Sequence, residues 1–168
     1  MQPRIDYAKS APGVRTAMAG LEAYVHQTGL ERSLLELVKL RASLINGCAY
    51  CVDMHTKIAR SLGETEQRLY AASLWGETPF YSERERAALA WTEAVTLVNV
   101  DHVPDDAYER ARLHFTEKEL VDLTAAIVAI NGWNRLAIAF RTVPGTFQIG
   151  VDSQDRQVAP ASESTADL

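Results

Sequence analysis

The chain has two cysteines, and they stand three residues apart in Cys48-Ala49-Tyr50-Cys51, with His55 four residues after the second. At about 100° per residue these three side chains fall within roughly a 60° arc, so a helix running through them carries all three on one face. Asn46-Gly47 breaks the preceding periodic run and puts the pair in a first helical turn, where unsatisfied amides and the positive end of the macrodipole favour an anion. Placement there is one way to bring a thiol pKa from about 8.5 into the range of roughly 3.5 to 7.5. His55, one turn beyond Cys51, is spaced to take a thiol proton directly or through a water. An imidazole in that job needs an acceptor on its other nitrogen, and Glu36, twelve residues before Cys48, is the candidate if its helix folds back at Asn46-Gly47. In a reducing compartment, a lone Cys-x-x-Cys points to redox chemistry or metal ligation and not to a disulfide scaffold.

Each residue also has a plainer reading. Cys48 and Cys51 could be small buried hydrophobes. A structural zinc site needs about four protein ligands; Cys48, Cys51 and His55 supply three, leaving His26, His102 or His114 for the fourth, and helical spacing is unusual for zinc pairs. Glu36 has Lys39 at i+3 and Arg32 at i−4, enough for a solvated helix-face salt bridge. Taken as a set, the four positions favour redox work without a metal or cofactor. Tyr50 reads as a lid or interface residue before a catalytic donor, and Trp75, Trp91 and Trp133 as core or interface anchors. Asn131, Asn134 and Arg135 interrupt an apolar helix and read as polar glue across a buried interface before residues at the active-site mouth.

The elements that must position these groups are helical, since no long period-2 alternation appears. Val14 to Val25 and Leu34 to Ile45 follow helical spacing and are joined at Thr28-Gly29. The run from Cys48 to Leu62 is closed by Gly63, which suits a left-handed C′ position. A short helix follows Thr65, a loop spans 76–81, and Ser82 with Glu85 forms a capping box for a helix over 87–98. Pro104 opens a further segment at an N1-like position, and Thr116 with Glu119 caps the most apolar helix, 120–140.

The length of 168 residues fits a single all-α domain over 1–149. Residues 150–168 shift to Ser, Asp, Gln, Thr and Ala without apolar periodicity, the composition of a disordered tail. With 47% hydrophobic and 23% charged residues the rest is ordinary globular chain. Seventeen Lys plus Arg against 22 Asp plus Glu leave a formal charge of −5, which disfavours a phosphate-seeking surface and so nucleic acid. Polar residues at 131, 134 and 135 cut the apolar stretches short of a membrane span, and no secretory signal stands at the N-terminus, so a cytoplasmic location is expected.

The text Leu37-Val38-Lys39-Leu40-Arg41-Ala42-Ser43, running into Asn46-Gly47-Cys48 and then Cys51-Val52-Asp53-Met54-His55, resembles the alkyl hydroperoxidase D-like members of the carboxymuconolactone decarboxylase superfamily. The likeness covers about residues 30–100 and includes the spacing of Glu36, Cys48, Cys51 and His55. Asn131-Gly132-Trp133-Asn134-Arg135 resembles a later segment of some members. The resemblance implies a compact multi-helix subunit that assembles as trimers or hexamers and reduces organic hydroperoxides or hydrogen peroxide. On that likeness Cys51 is the peroxidatic thiolate, Cys48 the resolving thiol, Glu36 and His55 the proton relay, and the disulfide is reduced by an external dithiol or lipoyl-type partner. The alternatives are a dithiol-disulfide oxidoreductase acting on a partner protein or lipoyl group, a decarboxylase-like lyase that leaves the cysteines unexplained, and a zinc- or redox-sensing module. One departure stands out: the best-known members carry a His just before the second cysteine, where this chain has Tyr50.

Overall fold

The computed structural model describes residues 2–150, which form helices and loops and no strand. The elements are α1 Tyr7–Ser10, α2 Pro12–His26, α3 Arg32–Asn46, α4 Ala49–Ser61, α5 Glu66–Ala71 running into a 3₁₀ segment Ala72–Glu77, α6 Glu83–Thr96, α7 Val98–Asp101, α8 Asp105–Arg112 and α9 Glu117–Phe140. Apart from Gly150, the tail expected over 150–168 lies outside the described residues.

Helix ends follow local chemistry. The Ser82 hydroxyl accepts from the Glu85 amide at 3.3 Å while the Glu85 carboxylate accepts from the Ser82 amide at 2.7 Å, and Thr116 and Glu119 repeat the exchange at 3.2 and 2.8 Å. Two boundaries and one short helix differ from expectation. Pro104 is the N-cap of α8 and Asp105 its first residue, so the proline's fixed φ sits one position earlier than N1. Leu97 leaves helical geometry and divides the run expected over 87–98 into α6 and the single turn α7. The four-residue helix α1 is too short to show a period.

Helix α3 is the axis of the bundle, packed against α4, α6 and α9. Leu34, Leu35, Leu37, Val38, Leu40 and Ala42 are buried on it, so its apolar surface extends most of the way round instead of forming a single stripe. Val25 of α2, Leu35 and Val38 of α3, Ala88 of α6 and Leu123 and Ile127 of α9 meet in the main core.

By length and composition alone α9 is apolar enough to cross a membrane, against the expectation that its polar residues cut the apolar stretches short. Here it packs against α2, α3 and α6, and its polar residues find partners inside the bundle. Asn46 of α3 donates to Asn131 at 3.0 Å and to Asn134 at 2.8 Å; Asn134 donates to the Ser43 hydroxyl at 3.1 Å, and Asn131 to Thr96 at 3.1 Å. Asn131 and Asn134 therefore act as the expected polar glue across a buried interface, here between helices of one subunit, where they lock the C-terminal end of α3.

That end sets the position of the cysteines. Gly47 closes α3 at φ 68°, a left-handed conformation that a Cβ would strain, and its amide bonds back to Leu44 and Ser43 carbonyls. The chain reverses across Gly47 and Cys48, so α4 runs back along α3 and its first turn lies against Ala137 of α9.

Candidate active site

Cys48 is the N-cap of α4 and stands just outside the first turn, one position earlier than a pair wholly within the helix; Cys51 is at N3. The Cys48 sulfur occupies the role usually taken by a capping hydroxyl, accepting from the Cys51 amide at 3.4 Å. The two cysteines are joined in a disulfide with their Cα atoms 5.3 Å apart, and each is 1% exposed. On reduction both sulfurs remain at the positive end of α4, where amides and macrodipole stabilise a thiolate.

His55 lies one turn further along α4, and its Nδ1 is 2.7 Å from Oε2 of Glu36, reached across the α3–α4 packing. Both side chains are buried. Glu36 is thus turned into the interface and does not form the surface salt bridge with Arg32 or Lys39 that its helical neighbours allowed. Burial alone would raise the Glu36 carboxyl, but the charge and hydrogen bond of His55, helped by Lys39, hold it below the ordinary carboxylate range. An ionised Glu36 accepts from Nδ1–H, which makes Nε2 the ring nitrogen that can gain or give a proton. His55 Nε2 is buried and makes no hydrogen bond among the described residues.

A cavity of about 420 Å³ opens beside this group, walled by Cys51 and His55, by Met54, Ile130 and Ala137, and by Glu22 of α2. Tyr50 also lines it and packs against the cysteine pair, so its ring borders the site. Trp133 borders the cavity too, whereas Trp91 belongs to the core and Trp75 to a smaller cluster with Leu37 and Tyr81. Among the described residues no three His, Cys, Asp or Glu side chains are arranged to hold a metal, and His26, His102 and His114 do not join the cysteines.

Two charged residues beside the site escaped the sequence reading. Lys39 is 1% exposed and its Nζ pairs with Oε1 of Glu22, which also faces Nε2 of His26 at 3.3 Å. Burial works against the Glu22 charge, yet His26 and Lys39 outweigh it and hold the carboxyl far below its usual range. A faint signal was present: Lys39 sits in the apolar run from Leu34 to Leu40, where a solvated lysine would be out of phase. The cavity also gains a wall from Thr146, beyond α9. The Gly145 amide donates to Asp53 of α4 at 3.1 Å, and Lys57 reaches the Phe147 carbonyl at 3.2 Å, folding this segment over the helix.

Glu22 and Glu36 have folded pKa values below those of the unfolded chain, so the unfolded state takes up protons first as the pH falls. Their contribution to stability is complete above about pH 4.5 and is lost below it as the folded values are approached. Thermal melts should therefore show a Tm that drops on acidification below about pH 4.5. Glu36→Gln should flatten that drop, and a Tm that holds or rises between pH 5 and 3 would contradict the assignment.

Fold and site together define an all-helical protein in which a disulfide-joined cysteine pair stands at a helix start, with Cys51 on the wall of a cavity shared with a carboxylate-held histidine. The chain belongs to the carboxymuconolactone decarboxylase family, whose model matches residues 12–94, and stands with its AhpD-like members. It is 46% identical over 139 residues to the uncharacterized protein YdfG of Bacillus subtilis, covering 83% of this chain and 95% of that one. A crystal structure from Agrobacterium tumefaciens, described as a protein of unknown function provisionally assigned to AhpD antioxidant defence, superposes with a TM-score of 0.84. It is 49% identical, over 87% of this chain and all of the other. The alkyl hydroperoxide reductase AhpD of Mycobacteroides abscessus is 35% identical over 66 residues, 39% of this chain and 34% of that protein.

Proposed function

We propose that this protein is a thiol-dependent peroxidase that reduces organic hydroperoxides or hydrogen peroxide. The observation that carries the reading is the buried His55 Nε2, without a partner among the described residues, on the wall of a cavity shared with Cys51, with Nδ1 anchored on Glu36. Such an imidazole takes a thiol proton and returns it to a leaving oxygen. In the reduced protein the Cys51 thiolate attacks the nearer peroxide oxygen, the S–O bond forms and the O–O bond breaks, and the departing alkoxide takes a proton from His55. Cys51 is then a sulfenic acid; the Cys48 sulfur displaces its oxygen as water and closes the disulfide.

The disulfide must be reduced by an external dithiol, and a lipoyl-type dithiol suits the burial of both sulfurs. A slender dithiol can enter a cavity of about 420 Å³, whereas a thiol on the rigid surface of another protein meets sulfurs that are 1% exposed. Assembly into a trimer or hexamer and a reducing, cytoplasmic setting belong to the same reading. Val121 and Val128, one heptad apart and exposed on α9, support assembly.

Turnover with dihydrolipoamide and cumene hydroperoxide is the test. The expected result is consumption of one hydroperoxide per dithiol at a rate that saturates with both. Should dihydrolipoamide open the disulfide while hydroperoxide re-forms it no faster than it oxidises a free thiol, disulfide exchange with a lipoyl or protein partner takes the place of peroxide reduction.

A further inference from the structure

A carboxylate other than Glu36 lines the cavity, and the proton relay makes no use of it. Glu22 is 8% exposed and lines the wall with Cys51 and His55. Both of its donors converge on one oxygen: Lys39 Nζ and His26 Nε2 face Oε1, and Oε2 takes no donor among the described residues. Withdrawing a lysine and a glutamate from water is unfavourable, and a well-packed apolar pair would join α2 to α3 as well or better. What apolar residues cannot supply is a fixed anionic acceptor on the cavity wall. Lys39 and His26 keep Glu22 ionised against its burial, so at neutral pH it accepts hydrogen bonds and holds no proton to give.

A neutral hydroperoxide offers one O–H donor beside the O–O bond that the thiolate must reach. We propose that Glu22 is a hydroperoxide-binding residue: its Oε2 accepts the hydrogen bond of the –OOH group and turns the O–O bond toward Cys51, while the organic group lies against Met54, Ile130 and Ala137. This deepens the peroxidase reading and rests on it. The electron and proton balance of that reaction is unchanged. The proton held by Glu22 stays on the oxygen transferred to sulfur, the alkoxide takes its proton from His55, and Glu22 keeps its charge throughout. Lys39 and His26 act through Glu22 as positioning residues.

The test compares two reactions of the same thiol. Reduced wild type and Glu22→Gln are mixed with cumene hydroperoxide, and in parallel with iodoacetamide, which reports thiolate reactivity without an O–H to be bound. Loss of a hydrogen bond to a charged acceptor should slow the hydroperoxide reaction by roughly 10- to 100-fold and leave alkylation within about 3-fold. If the single variant does not fold, Glu22→Gln combined with Lys39→Met removes the buried lysine together with the carboxylate and must show the same divergence. Equal slowing of both reactions, or no change in either, overturns the assignment of Glu22. A wild type that reacts with hydroperoxide no faster than a free thiol overturns the peroxidase reading itself, whereas a fast wild type with an equally fast variant overturns only the role of Glu22.

Discussion

Cys51→Ser should lose hydroperoxide reduction altogether, by at least about 10³-fold in rate, because an alcohol at this position is neither ionised nor nucleophilic toward an O–O bond at neutral pH. Cys48→Ser should behave differently. Cys51 lines the cavity beside His55, while Cys48 sits behind it as the N-cap of α4, its sulfur directed to the Cys51 amide at 3.4 Å. The first oxidation should therefore survive in Cys48→Ser and stop at a sulfenic acid that a dimedone-type probe traps, with one hydroperoxide consumed per subunit. The serine hydroxyl can still cap α4, so the variant is expected to fold. A trapped sulfenic acid on Cys48 in the Cys51→Ser protein, together with an inert Cys51 in the Cys48→Ser protein, would reverse the two roles.

The second large effect is expected at Glu36. Its carboxylate holds His55 Nδ1 at 2.7 Å in the α3–α4 interface, fixing both ring orientation and tautomer. Glu36→Gln keeps the volume and an amide oxygen to accept from Nδ1 but removes the charge that favours an imidazolium on the reaction path. Loss of general acid-base function typically costs about 10² to 10⁴ in rate, and the glutamine variant should fall near the lower end. Glu36→Leu removes the acceptor as well and should lie near the upper end, with about 1 to 3 kcal/mol less stability because a buried N–H is left without a partner. Single-turnover rates and thermal melts on the two variants separate charge from orientation. A glutamine variant within a few-fold of wild type would show that His55 works without the carboxylate.

The arrangement of the candidate residues was legible in sequence because offsets of three and four residues translate directly into one helix face, and because Asn46-Gly47 marks where α3 must turn back. Helix starts at Ser82 and Thr116 were legible for the same local reason: a capping box is complete within four residues. What was hidden depends on how helices cross. Glu22 and Lys39 lie on different helices, and only the approach of α2 to α3 shows that they neutralise each other beside the cysteines. Asn131 and Asn134 announced a polar contact, but its partner, Asn46, lies more than eighty residues away in sequence. The segment after α9 carries turn residues that give no periodic signal, yet the Gly145 amide on Asp53 brings Thr146 to the cavity and Phe147 into the core.

The most direct measurement is the pH dependence of thiol loss when the fully reduced, metal-free protein meets a small excess of an organic hydroperoxide. With a thiolate held at the start of α4 and a histidine to return the proton, both thiols should disappear together, far faster than a free thiol. The rate should be governed by a pKa well below the ordinary value of about 8.5. Thiol loss no faster than a model thiol, or a rate that rises only through that ordinary value, would contradict peroxide reduction as the chemistry of this site.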